Sequence, residues 1–214
     1  MCNPIKPTLK TEFVPTLFIL LTVIVSFYFY SLFPDQVATH WNAQGVVDSY
    51  SGKYFAAFFF PLFNIAIYLL LLFIPHLDPK KPNYDKFKNI YHILKGGIVA
   101  FMSLIYLVVG LNGIGYNLPV NIIVPIGIGL FFILIGYYLK DIKPNWFLGI
   151  RTPWTLSSED VWSKTHKYGS KIFMVSGLIM LLAAIFPEGF IYFIILFVIL
   201  ISSTVVYSYL IYRK

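Results

Sequence analysis

Six apolar stretches, approximately residues 13 to 33, 54 to 75, 93 to 112, 118 to 139, 168 to 186 and 189 to 211, divide the chain. Each is near the roughly 20 residues that a helix, rising about 1.5 Å per residue, needs to cross about 30 Å of hydrocarbon. Lipid offers no partners to backbone amides and carbonyls, so each crossing segment must bond its own, and a helix does so alone. The expected fold class is therefore all-α: a polytopic membrane helical bundle with six transmembrane helices, residues 1 to 214 forming a single integral membrane domain. Composition agrees. Of 214 residues only 12% are charged and 58% are hydrophobic, with mean hydropathy +0.77, against about 25% charged in soluble domains. The first stretch is too long for a signal peptide and no small-residue cleavage pattern follows it, so it reads as a retained span. Pro187, Glu188 and Gly189 separate the last two stretches, which predicts a helical hairpin.

The formal net charge is +7, but the basic residues are scattered over short segments and form no dense stripe, so direct nucleic-acid binding is not expected. They report orientation instead. Lys6 and Lys10 precede the first span, Lys80, Lys81, Lys86 and Lys88 lie between spans two and three, and Arg213 and Lys214 end the chain. Lys140, Lys143, Arg151, Lys164, Lys167 and Lys171 lie between spans four and five, whereas the three other connections hold only Lys53. This asymmetry predicts a multi-pass cell-membrane protein with both termini inside. Residues 34 to 53 would form an extracellular loop, 76 to 92 a cytoplasmic loop, and 140 to 167 a cytoplasmic loop containing a short helix.

Sequence patterns for common chemistries are missing. There is no HExxH, no GxSxG, no phosphate-binding glycine loop and no Cys/His cluster, so the expectation is no enzyme, no cofactor and no metal. Cys2 has no partner for a disulfide, and no apolar signal precedes it as in a lipidated cysteine. His40, His76, His92 and His166 fall in different loops near span edges, where a hydrogen-bonded neutral ring is the plain reading. The expected spans hold practically no charge. Asn64, Asn112, Ser103, Ser202, Ser203 and Thr204 are their polar exceptions, explained most simply by hydrogen bonds between helices. Gly127, Gly129 and Gly136 suit close packing of span four. Two other classes stay open: a small transporter or channel with a polar cavity around Asn64 or Asn112, and an intramembrane enzyme, for which Glu159 and His166 are the nearest acid–base pair.

Two polar passages can hold more than a turn. The outer one, "PDQVATHWNAQGVVDSYSGKY", contains His40, Trp41, Asn42, Gly45, Asp48 and Tyr50. Gly45 suits a tight turn, and Asp48 or Ser49 could cap the next helix. The inner one, "KPNWFLGIRTPWTLSSEDVWSKTH", crowds three tryptophans around an arginine and a proline. Ser157 with Asp160 resembles a capping pair, Asp160 and Lys164 are spaced to pair on a helix face, and a short helix is expected from about Ser158, turning into or continuing as the fifth span. Taken as residue types, Trp146, Trp154 and Trp162 read as interfacial anchors, with Arg151 on lipid phosphate or over one of the rings.

The order of these residues says more. "NWFLGIRTPWTLSSEDVWSKTHKYG", Asn145 to Gly169, resembles the signature of the SdpI family of bacterial immunity proteins, xGIRTPWTLxxExVWxxTHxxG. The outer "LFPDQVATHWNAQGVVDSY" is similar to an element often found near the N-terminus of the same proteins. The resemblance implies a multi-pass membrane protein that protects against a secreted toxic peptide and, in the best-known arrangement, holds a cytoplasmic ArsR-type repressor at the membrane. It marks Asn145, Trp146, Gly149, Arg151, Thr152, Pro153, Trp154, Thr155, Glu159, Trp162 and His166 as inner-face residues that are structural or bind a partner. The outer-loop residues become candidate toxin contacts, and membrane lipids the remaining partner.

Overall fold

The computed structural model describes residues 5 to 214; Cys2 lies outside them. In chain order the elements are α1 (Leu9–Leu32), β1 (Gln36–Trp41), β2 (Val47–Gly52), α2 (Lys53–Leu77), α3 (Lys88–Gly113), α4 (Val120–Leu139), α5 (Pro153–Ser157), α6 (Glu159–Ile185) and α7 (Phe190–Arg213). Six of these helices are long and apolar enough to cross a membrane, and each covers one of the six apolar stretches. Their outer faces carry exposed Leu17, Leu20, Ile24, Leu62, Leu178 and Ile199, side chains that lipid, not water, accommodates.

Helix starts follow local chemistry. Thr8 caps α1 by accepting from the Thr11 amide while Thr11 Oγ1 accepts from the Thr8 amide. At α6 the cap is Ser158, which accepts from the Val161 amide; Glu159 and Asp160 then fill the first turn, where the helix dipole favours acids. The expected Ser157–Asp160 cap is therefore corrected by one residue. The Ser157 hydroxyl is already spent on the Trp154 carbonyl within α5. The Asp160–Lys164 pair forms, at 2.7 Å. The helix starting at Glu159 runs unbroken into the fifth span, as one of the two expected alternatives had it, and the separate short helix α5 before it was not expected.

The helices pack as two groups of three: α1, α2 and α3 together, and α4, α6 and α7 together, joined where α3 meets α4. Tyr91 and Tyr106 of α3 donate to the α2 carbonyls of Leu71 and Ala57. Within the second group α4 lies so close to α6 that a Cβ at Gly129 would sit 2.8 Å from the Gly177 carbonyl, and Ser170 donates to the Gly136 carbonyl at 2.6 Å. The α6–α7 hairpin forms across a short 3-10 turn at Pro187–Gly189.

The outer passage is not a loop. β1 and β2 pair antiparallel, with register breaks near His40, so a two-stranded hairpin interrupts the helical chain. Asp48 and Ser49 lie inside β2, and Gly52, with no side-chain bond, precedes α2; neither residue caps that helix. Alternation of Val37, Thr39 and Trp41 in "QVATHW" is strand-like, and Val37 is buried against Phe33 beside Gly113.

Candidate functional site

The signature passage forms a folded cap over one end of the bundle. Asn145 is fully buried: its Nδ2 donates to the carbonyls of Lys143 and Leu148, and its Oδ1 accepts from the amides of Phe147 and Leu148. Gly149 has φ +110, which admits a side chain only with strain, and a Cβ there would collide with His166 Nε2. His166 is held between two backbone groups. Its Nε2 is 3.1 Å from the Ile150 amide and its Nδ1 2.9 Å from the Trp162 carbonyl. An amide only donates and a carbonyl only accepts, so the ring proton sits on Nδ1. Trp162, 2% exposed, stacks on the His166 ring at 4.0 Å and donates Nε1–H to the Ile142 carbonyl.

The GIRTPW segment is tied down in the same way. Thr152 caps α5 in a reciprocal pair with Thr155, and Pro153 takes the first helical position, where a missing amide is harmless. Thr155 Oγ1 donates to the Ile150 carbonyl, Thr152 Oγ1 lies 3.0 Å from Ser208 Oγ on α7, and Trp154 packs on Tyr209. The interfacial-anchor reading is thus corrected for Trp162, which is core. Trp146 remains 50% exposed. Arg151 lies over none of the three tryptophan rings; its Nη1 donates to the Trp146 carbonyl at 2.7 Å, and the residue is exposed, as are Pro153 and Glu159.

Sequence reasoning missed what holds this cap from below. Asp78, between α2 and α3, is fully buried; its Oδ2 accepts from the Trp146 amide and the Tyr84 hydroxyl, and its Oδ1 from the Lys80 amide. Burial and that carboxylate push the Tyr84 phenol well up. Asn83 donates to the Pro144 carbonyl at 2.7 Å. The only hint in the sequence was an acid beside prolines in a basic loop.

A second miss lies within the spans. Lys95 of α3, 1% exposed at its side chain, contacts both Glu12 oxygens at 2.7 Å; Tyr68 of α2 donates to Glu12 at 2.8 Å, and His92 Nδ1 lies 3.6 Å away. The expectation of practically uncharged spans is corrected at this point. A lysine inside the apolar run "HILKGGIVAF" was the signal.

At the other end the hairpin bonds mostly to itself. His40 Nδ1 meets Asp48 Oδ1, and Asn42 Oδ1 accepts from the amides of Gln44 and Val46 around Gly45, at φ +77. The turn packs on Asn121 of α4. Trp41 is half-buried, while His40, Asn42, Asp48 and Tyr50 are exposed. A 24-residue helix such as α1 spans about 36 Å, so the outer and inner candidate residues do not meet.

Glu159 is exposed while both nitrogens of His166 are occupied by backbone, so the two do not converge as acid and base. Asn64 donates to Ser103 and to the Val99 carbonyl, and Thr22 donates to Ser103, an interhelical network as expected. Asn112 and Thr204 instead bond within their own helices. Among the described residues no group of three or more His, Cys, Asp and Glu comes together to hold a metal.

Comparison with known proteins agrees with this geometry. Residues 141–208 match the family described as the SdpI/YfhL protein family, and residues 17–65 match a domain of unknown function, DUF1648. Over 208 residues, 96% of this chain and 98% of the relative, the sequence is 24% identical to "Immunity protein SdpI" of Bacillus subtilis (strain 168). No solved structure matches. The SdpI/YfhL match covers the signature cap, α6 and most of α7, the similarity to the immunity protein runs nearly end to end, and with six helices long and apolar enough to cross a bilayer the chain is a multi-pass cell-membrane protein.

Proposed function

We propose that this is a membrane immunity protein, which gives its cell resistance to a secreted membrane-active toxin peptide. The observation that carries the reading is the similarity to an immunity protein over 96% of the chain. We place both termini and the basic end in the cytoplasm, because Lys and Arg collect there while the opposite end holds only Lys53. The toxin then meets the hairpin first, at exposed His40, Asn42, Asp48 and Tyr50 with Trp41 between them. Trp146 and Arg151 form the surface on which a cytoplasmic ArsR-type repressor docks; tryptophan and arginine are the residues that most often dominate interfaces. The hairpin turn touches α4 through Asn121, and α4 leads into the signature cap, which supplies a route for coupling if the toxin binds two arrangements unequally.

The test is survival of a toxin-sensitive bacterium expressing the protein and challenged with secreted membrane-active peptides. Wild type protects, Trp41→Ala at equal membrane abundance protects less, and Arg151→Ala keeps protection but loses repressor capture. Unchanged sensitivity with wild type across the peptides would refute immunity.

A small transporter is the second reading, favoured by the buried Glu12–Lys95 pair, because ionisable groups inside a membrane commonly mark transport paths. It predicts that Glu12→Leu with Lys95→Leu abolishes protection in a protein that still accumulates. Toxin capture predicts that protection persists.

A further inference from the structure

A cavity of about 620 Å³ opens at the basic end between the start of α1, the 3-10 turn at Lys81–Lys86 and the start of α3. Its lining includes Lys6, Lys81, Lys88 and His92, with Asp85 the one acid. No side chain caps the first amides of α3, and Lys88 and Asn89 line the cavity, so the positive end of that helix dipole adds to the three lysines. The field in the cavity suits an anion.

The cavity does not end in protein. Thr11, Asn89 and His92 also border a groove of about 550 Å³ that continues between α1 and α3 along Val14, Ile93, Gly96, Gly97 and Ala100. Gly97 and Ala100 in turn border a further apolar groove of about 350 Å³, reaching Leu104 and Phe131 between α3 and α4. From Ile93 to Leu104 the path along α3 is about 16 Å, close to the roughly 15 Å of one leaflet's hydrocarbon. A polar, cationic mouth joined to an apolar trench one leaflet deep has the shape of a lipid.

We propose that this continuous cavity and groove is a binding site for an anionic phospholipid, its phosphate among Lys6, Lys81 and Lys88 and one acyl chain along Ile93, Gly97 and Ala100. Charge selects the headgroup, since each basic residue near a membrane surface favours anionic lipid. The small residues at 96, 97 and 100 leave the trench open for the chain.

The test is native mass spectrometry of the full-length protein, freed of lipid in detergent and then given palmitoyl-oleoyl phosphatidylglycerol or phosphatidylcholine. Wild type is expected to retain phosphatidylglycerol in at least about tenfold preference. Lys6→Gln with Lys81→Gln and Lys88→Gln removes the preference, and Lys88→Gln alone, at an exposed residue, lowers it should the triple variant not fold. Ala100→Leu lowers retention of both lipids. Equal retention of the two lipids by wild type, or an undiminished preference in the lysine variants, overturns the proposal. Displacement of phosphatidylglycerol by millimolar inorganic phosphate also overturns it, by assigning the site to a free anion.

Discussion

The two ends of the bundle use polar residues in opposite ways. At the basic end Asp78, Asn145, Thr155 and His166 are buried and bonded to backbone, Asp78 and His166 to amides far away in sequence. At the hairpin end His40, Asn42 and Asp48 are exposed and bond only to the hairpin itself. Buried groups whose partners are removed lose a full desolvation term, whereas exposed ones turn to water. The first set therefore holds a shape, and the second is available to a visitor.

Substitutions can break this contrast, beginning with the largest effect. Lys95→Ala leaves the Glu12 carboxylate without its cation, and about 3–5 kcal/mol of stability should be lost, read as a fall in melting temperature in detergent. Replacing both by leucine should recover most of it, and no recovery would mean the pair is not the source. Gly149→Ala forces a side chain at φ +110 against His166; strain and displacement together should lower stability by about 2–3 kcal/mol. Trp162→Phe keeps most of the packed ring but removes the bond to the Ile142 carbonyl, a loss of about 1 kcal/mol. His40→Ala breaks an exposed pair and should change stability by under about 1 kcal/mol. If His40→Ala destabilised as much as Gly149→Ala, the contrast between the ends would fail.

Much of this was legible in the sequence. Apolar length gave the six spans, because a helix in lipid must bond its own backbone, and Pro187 with Gly189 gave the last turn. The signature's order marked Asn145, Gly149, Thr152, Trp162 and His166 as a group. The pairings of Asn145, His166 and Trp162 were not legible, because the partners are backbone groups at Leu148, Ile150 and Ile142 that carry no residue-type signal. The hairpin went unread because its alternation is short and register shifts on both sides of His40 break it. Asp78 and Glu12 went unread for another reason: each lies just outside an expected span, and only folding brings it under the cap or beside Lys95.

Sidedness sharpens the comparison further. Val46→Cys at the exposed hairpin turn should react with an impermeant thiol reagent on whole cells, and Trp146→Cys only after permeabilisation, both in a Cys2→Ser background. The reverse pattern would move the toxin-facing surface to the signature cap.

The most direct measurement is toxin survival divided by the amount of protein in the membrane, compared between Tyr50→Ala in the hairpin and Asn145→Ala in the cap. Tyr50 is 59% exposed and Asn145 fully buried. The account predicts that Tyr50→Ala accumulates normally and protects less per molecule, while Asn145→Ala accumulates poorly and protects normally per molecule. Normal protection per molecule with Tyr50→Ala, and loss with Asn145→Ala at full abundance, would contradict it.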